Sequence, residues 1–166
     1  MDIVLILENI RSAHNVGTII RTANFLGVSK IFYIGITPWP QQESDTRLPH
    51  VARRAQEQIA KTSLGAESAI LHEHHDSINS VLAKNSDYTL VALEQDPRSV
   101  PITSLDPTGS LALVFGNEVS GVSPETLNLS DVIVEIPRIG PKNSLNVSSA
   151  VAVSVGQLRL LHEQNQ

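Results

Sequence analysis

The sequence contains no cysteine, which excludes disulfide scaffolds, thiolate zinc sites and cysteine nucleophiles together. Aromatic residues make up only 4% of its 166 residues and charged residues 17%, so aliphatic side chains must form the core. No apolar run approaches the ~20 residues needed to cross a bilayer, and no positively charged leader precedes the first apolar run. These absences predict a cytoplasmic globular protein without a membrane anchor.

The charge balance is acidic. Twelve Lys and Arg stand against 17 Asp and Glu, which gives a formal net charge of -5 at pH 7. This balance argues against a protein that coats nucleic acid along its whole surface, but it leaves room for a local basic patch.

Short apolar runs rich in β-branched residues alternate with helical patterns along the chain. Near-continuous apolar runs are typical of strands buried on both faces, and they predict strands at 3–7, 30–34, 89–93, 111–115 and 132–136. Apolar spacing of three and four residues predicts helices at 15–26, 51–60 and 77–84 and a long last helix after residue 143. The alternation predicts an α/β fold with a mostly parallel sheet flanked by helices. No linker or repeat divides the chain, so we expect one domain over 1–166, with 36–49 as its long loop.

Several common catalytic signatures are missing. The sequence has no G-x-G-x-x-G after a strand, no G-x-x-x-x-G-K-[ST] and no G-x-S-x-G. The tract His72-Glu73-His74-His75 suggests a metal site, because His72 and His74 would share one face of a strand. No second cluster of ligands accompanies it, so a solvated edge or turn is the better interpretation and we expect no metal.

Three polar, glycine-punctuated segments follow predicted strands. The first holds Asn15 and Arg21 at the start of the first helix, where free backbone N–H groups bind polar ligands and Arg21 could meet a phosphate. The second places Glu118 directly after an apolar strand, and the third leads through Ser144 and Asn146 into the last helix. Each has a plainer alternative: helix N-caps for Asn15, Ser144 or Asn146, and surface charges for the other two. Ligands of open α/β sheets bind at strand carboxyl ends, so together the three segments predict a site.

The order of these segments resembles one family over residues 5–160. N-x-G-x-I-x-R, F-G-N-E-x-x-G and I-P-x-x-G followed by S-L-N-V-S are similar to the motifs of the SpoU/TrmH family, RNA ribose 2′-O-methyltransferases of the SPOUT class. The resemblance implies a deep trefoil knot near the C-terminus, S-adenosylmethionine as methyl donor, tRNA or rRNA as substrate, a homodimer and no metal. The surplus apolar positions of the last helix also favour a dimer.

The resemblance also implies roles for individual residues. The catalytic set is Asn15, Arg21, Glu118, Ser144 and Asn146. The donor pocket is Leu93, Gly116, Ile136, Ser144 and Leu145. Arg21 would bind the phosphate beside the target ribose and stabilise charge on its 2′-oxygen, because a guanidinium does not give up its proton in proteins; a general-base role for Arg21 is the alternative. Glu118 and Asn15 would orient Arg21, while Ser144 and Asn146 would brace the loop.

Clustered cations are candidates for RNA contacts in this acidic chain. They are Arg11, Arg47, Arg53, Arg54, Arg138 and Lys142, with His50 and Lys61 nearby. The alternative is that Arg53 and Arg54 only pair with Glu57 on one helix. Arg138 departs from the family pattern, in which many members have methionine, and the chain starts at the first strand where many relatives carry an added RNA-binding domain.

The sequence is also compatible with two other functions. One is a knotted RNA-binding or assembly protein without activity, against which the complete set of Asn15, Arg21, Glu118 and Asn146 speaks. The other is an enzyme of the same superfamily that methylates a base.

Overall fold

The structure is a computed structural model that describes residues 1–165. Within these residues one sheet of seven strands has the order β3-β2-β1-β6-β4-β7-β5, and every pairing between named strands is parallel. The strands are β1 (Asp2–Glu8), β2 (Lys30–Ile34), β3 (Leu71–His75), β4 (Thr89–Leu93), β5 (Val100–Pro101), β6 (Ser110–Phe115) and β7 (Val132–Glu135). The predicted α/β class and the parallel sheet are confirmed.

Helices cover both faces of this sheet. They are α1 (Ala13–Phe25), α2 (Pro49–Ser63), α3 (Ile78–Leu82), α4 (Pro124–Leu129) and α5 (Val147–Gln164). Apolar residues of α1, α2 and α5 pack with one face of the sheet in the larger core cluster, and those of α3 and α4 pack with the other face. Strand β1 is central, which explains why its residues 3–7 are all apolar and almost fully buried. The trefoil knot stays a prediction.

Helix α1 begins two residues earlier than the apolar spacing indicates. Ser12 is its N-cap, with the side chain accepting a hydrogen bond from the backbone N–H of Asn15 at 3.2 Å. The alternative interpretation of Asn15 as the N-cap is therefore wrong. Because the capping position is already taken, the amide of Asn15 is free to bond elsewhere.

The histidine tract forms β3, a strand at the edge of the sheet, which confirms the expected edge position and makes the alternative of a turn wrong. The strand was missed because it is polar, but its side chains are bonded. Lys30 Nζ lies 2.7 Å from Glu73 Oε1, and His72 lies between Tyr33 Oη and the carbonyl oxygen of Glu67, at 2.8 Å from each. Part of the edge is covered, since the loop after β2 donates a hydrogen bond from Gln42 Nε2 to the carbonyl oxygen of His72.

Helices α1 and α2 touch at Gly17. A side chain at this position would clash with the carbonyl oxygen of Ile59 and the hydroxyl of Thr62, so only glycine permits the contact. Thr62 Oγ1 also donates a hydrogen bond of 2.9 Å to the carbonyl oxygen of His14, which fixes the end of α2 beside the first turn of α1. No helix within 1–165 is both long and apolar enough to cross a membrane.

Candidate functional site

A cavity of about 720 Å³ lies where β4, β6 and β7 end. Its size suits a small-molecule ligand, and its position at strand carboxyl ends is where open α/β sheets bind ligands. All five residues predicted for the donor pocket line it, namely Leu93, Gly116, Ile136, Ser144 and Leu145. The residues that the resemblance implies for the donor pocket thus border one cavity, and their binding roles stay predictions.

The cavity wall combines apolar side chains with charge. Three carboxylates line it, those of Glu94, Glu118 and Glu135, against two cations, Arg138 and Lys142. This acidic balance suits a ligand that carries positive charge, and the cations could meet a ligand carboxylate.

Glu118 ties the second polar segment to the start of α1. Its carboxylate accepts hydrogen bonds from the backbone N–H of Arg11 at 3.0 Å, from that of Ser12 at 3.2 Å and from Asn15 Nδ2 at 3.0 Å. Partial burial raises the pKa of Glu118, but these hydrogen bonds outweigh burial and hold the pKa below its usual value. Glu118 is therefore an anion that positions its neighbours rather than a proton acceptor.

The third segment joins the same network through Asn146. Asn146 Nδ2 donates to Asn15 Oδ1 at 3.3 Å, while Asn146 Oδ1 accepts from the backbone N–H of Ser148 at 2.8 Å and from Ser148 Oγ at 2.7 Å. Asn146 is thus also the N-cap of α5. Since a carboxylate only accepts hydrogen bonds, Glu118 sets the orientation of the Asn15 amide, and Asn15 then sets that of Asn146.

Two carboxylates that the sequence analysis did not single out form hydrogen bonds with residues at the end of the second segment and just after it. Glu8 is only 5% exposed and accepts from the backbone N–H and the hydroxyl of Ser123, each at 2.8 Å, and from Thr126 Oγ1 at 2.6 Å. Glu94 accepts from the backbone N–H of Val122 at 2.9 Å. Each is the carboxylate at the end of an apolar strand, the same signal that drew attention to Glu118.

The segment 137–145 covers the cavity with few ties to the rest of the fold. Gln95 Nε2 donates to the carbonyl oxygen of Asn143 at 3.0 Å, and within the segment Arg138 Nη1 donates to Asn143 Oδ1 at 2.8 Å. Ser144 and Leu145 are exposed here, and Ser144 makes no hydrogen bond within the described part of the chain.

Arg21 lies apart from this network. It is exposed on α1 and lines a second groove of about 670 Å³ together with Lys61 of α2 and Ala152 of α5. The two cavities share no lining residue, and the side chain of Arg21 makes no hydrogen bond or ion pair within 1–165. One chain therefore does not bring Arg21 to Glu118 or Asn15, the contacts expected to orient it.

The predicted RNA-binding cations fall into two groups. Arg47 is held in a salt bridge by Asp45, whose pKa it lowers to about 2, and it stacks 3.8 Å above the Trp39 ring. Arg53 Nε lies 3.8 Å from Glu57 Oε1, so pairing with Glu57 is confirmed for Arg53 only. The cations without an ion pair among residues 1–165 include Arg11, Arg54, Arg138 and Lys142.

No cluster of three or more His, Cys, Asp or Glu in the described part of the chain is placed to hold a metal ion.

Comparisons with known proteins identify the family. The model of the SpoU rRNA Methylase family matches residues 2–156. The tRNA (guanosine(18)-2′-O)-methyltransferase of Escherichia coli K12 is 29% identical over 154 residues, which cover 92% of this chain and 60% of that enzyme. This chain thus spans about three fifths of that relative.

Solved structures share the fold. An Aquifex aeolicus TrmH/SpoU tRNA modifying enzyme superposes with a TM-score of 0.73 at 25% identity, covering 99% of this chain and 77% of that one. An AdoMet-bound rRNA methyltransferase from Sinorhizobium meliloti superposes with a TM-score of 0.79 at 24% identity. The match covers 96% of this chain and 56% of that one. With the family match over nearly its whole length, this chain belongs to the SpoU rRNA methylase family.

Proposed function

We propose that the chain transfers a methyl group from S-adenosylmethionine to a ribose 2′-oxygen of tRNA or rRNA. One observation carries the proposal: three segments far apart in sequence meet in the hydrogen-bonded chain Glu118–Asn15–Asn146 at the wall of a ligand-sized cavity. The names of the E. coli and S. meliloti relatives support the substrate and the donor.

The cavity fits the donor by size and charge. S-adenosylmethionine would supply a methyl group already activated on a positively charged sulfur. The apolar ends of β4 and β7, at Leu93 and Val134, suit its adenine ring, while Glu94, Glu118 and Glu135 favour the sulfonium. Arg138 and Lys142, which were also candidates for RNA contacts, line the same cavity and would hold its carboxylate. The proposed reaction does not require a metal ion bound by the protein.

The chain's own task is to align the ribose and to stabilise charge on the attacking oxygen. The ribose oxygen would bond to the methyl carbon as the sulfur–carbon bond breaks, and its hydroxyl proton would pass to solvent. Arg21 would bind the adjacent phosphate and stabilise the oxygen. Glu118 would act through Asn15 and Asn146, which it orients.

A homodimer would complete the site. Helix α5 has no charged residue from 147 to 158, and Phe25, Val153 and Leu160 are 88%, 45% and 58% exposed in the single chain. Exposed apolar surface of this kind marks an interface. Because Arg21 lies on this same face, a second copy packed there would bring its own cavity toward Arg21. We propose a catalytic centre that combines Arg21 of one protomer with the Asn15–Asn146 pair of the other. One domain over 1–166 and a cytoplasmic location stay predictions.

Methyl transfer from labelled S-adenosylmethionine to RNA tests the proposal. The RNA should come from cells that lack the protein, so that its target is unmodified, and the digested product should be separated into nucleosides. A 2′-O-methyl nucleoside is expected. A methylated base would assign the chain to the base-methylating alternative, and donor binding with no product on any cellular RNA would contradict enzymatic activity.

A further inference from the structure

Charge is divided unevenly along this chain. Residues 9–63 contain seven Lys and Arg but only three Asp and Glu. The rest of the chain contains five Lys and Arg and 14 Asp and Glu. The segment 9–63 builds α1, β2 and α2, and both helices lie on the same face of the sheet. An acidic protein thus carries one basic face, opposite α3 and α4.

Three of the seven cations in residues 9–63 are neutralised by ion pairs. Lys30, Arg47 and Arg53 are paired with Glu73, Asp45 and Glu57. The cations of this segment left without an ion pair among residues 1–165 are Arg11, Arg21, Arg54 and Lys61.

Helix α2 arranges two of these cations and a histidine in a line. His50, Arg54 and Lys61 are all exposed and are spaced by four and seven residues, so they share one outer stripe of the helix. Eleven residues of helix span about 16 Å. This length is enough for several consecutive phosphates of a nucleic-acid strand, which in duplex DNA are about 3.4 Å apart along the helix axis.

The stripe leads to the candidate site. Lys61 and Arg21 line the same groove. The neighbouring Thr62 donates its hydrogen bond to the carbonyl oxygen of His14, which directly precedes Asn15. The Lys61 end of the stripe is therefore the end next to the Asn15–Asn146 pair, and Arg54 and His50 lie progressively further away.

We propose that this stripe of α2 binds the sugar-phosphate backbone of the substrate RNA and leads the RNA from the helix surface to Arg21 and the cavity. The proposal rests on the proposed function and adds the path by which RNA arrives. Acidic residues elsewhere repel the same polyanion, so the one basic face also selects the orientation of approach.

Salt-dependent RNA binding tests this path. Binding of unfractionated tRNA is followed by fluorescence anisotropy over a series of KCl concentrations for the wild type, for Arg54→Ala, Lys61→Ala and the double variant. The control is Lys84→Ala, which removes an exposed cation that has no ion pair within the described residues and lies outside the stripe. We expect the removal of each phosphate-binding cation to reduce the slope of log K against log salt by about 0.7–0.9. The double variant should bind roughly tenfold more weakly at low salt, and Lys84→Ala should match the wild type.

Two further readouts separate the possible failures. Donor affinity measured by calorimetry should be unchanged in the double variant, because the stripe does not line the large cavity. Lys61 lines the groove that also contains Phe25, so mass is measured by light scattering as a control, and it should be unchanged if the stripe binds RNA. A double variant that binds tRNA like the wild type overturns this inference and leaves the proposed function standing. A change in mass would identify the stripe as a contact between copies and also overturn it. Failure of the wild type to methylate any RNA would instead refute the proposed function.

Discussion

Asn15 and Glu118 are separated by 103 positions in the chain and joined by a hydrogen bond of 3.0 Å from Asn15 Nδ2 to Glu118 Oε1. The bond connects the first turn of α1 with the loop after β6. Because the carboxylate accepts from Asn15 as well as from two backbone N–H groups, it fixes both the position of the loop and the direction of the Asn15 amide.

Replacing Glu118 by glutamine should break this arrangement while keeping its shape. An amide nitrogen would then face N–H donors and break at least one of these hydrogen bonds. Because the bonds are exposed and water can replace the lost acceptor, the free energy of unfolding should fall by about 0.5–1.5 kcal/mol. Urea denaturation measures the loss, and Glu43→Gln, at an exposed carboxylate, is the control. A matching loss in single-turnover methylation is expected, since the Asn15 and Asn146 amides lose their orientation. Unchanged stability and turnover would show that the network has no role.

Glu8 should stabilise the loop that carries Glu118 through its hydrogen bonds to Ser123 and Thr126. It is buried and binds three donors of Ser123 and Thr126, so Glu8→Ala leaves these donors unpaired and should destabilise the fold by about 2–4 kcal/mol. Hydrogen exchange should rise in residues 116–126 more than in β2. Exchange that rises evenly over the whole sheet would contradict this local role.

Arg21→Ala should reduce single-turnover methylation by about 100- to 1,000-fold at saturating donor and RNA. Donor affinity should stay the same, because Arg21 does not line the donor cavity. Arg21→Lys should restore little, since a point charge cannot replace the planar guanidinium. An alanine variant within about threefold of the wild type, less than ~1 kcal/mol of barrier, would make Arg21 an ordinary surface cation.

Mixing two inactive variants tests whether the site spans two chains. In a heterodimer of Arg21→Ala with Asn146→Ala, a shared site places both substitutions in one centre and leaves the other centre intact. Subunit exchange should therefore restore part of the activity. If Arg21 served the cavity of its own chain, every centre would carry one substitution and activity would stay lost.

Stability should fall as the pH drops below about 6.5 because of His72. Burial lowers the pKa of this histidine despite opposing contributions from Glu67. It stays neutral between Tyr33 Oη and the Glu67 carbonyl, while the unfolded chain takes up the proton first. The free energy of unfolding should then decline from about pH 6.5 toward the lowered pKa. Urea titrations at several pH values measure this slope, and His72→Gln should flatten it.

The class of the fold and the location of the cavity follow from the amino-acid sequence. Continuous apolar runs such as residues 3–7 require a strand covered on both faces, and parallel strands bring the residues after Leu93, Phe115 and Glu135 to one edge. Local patterns are enough for these conclusions because they depend on burial and chain direction alone.

The pairing of polar groups, in contrast, depends on how the helices and loops pack across the sheet. No spacing in the sequence connects Glu8 with Ser123, or Glu118 with the amides of Arg11 and Ser12. The same packing turned Arg21 away from Glu118 and paired Arg47 with Asp45, although both cations looked alike in sequence. The sequence gives the sign of each charge, but the tertiary structure decides which opposite charge lies close enough to neutralise it.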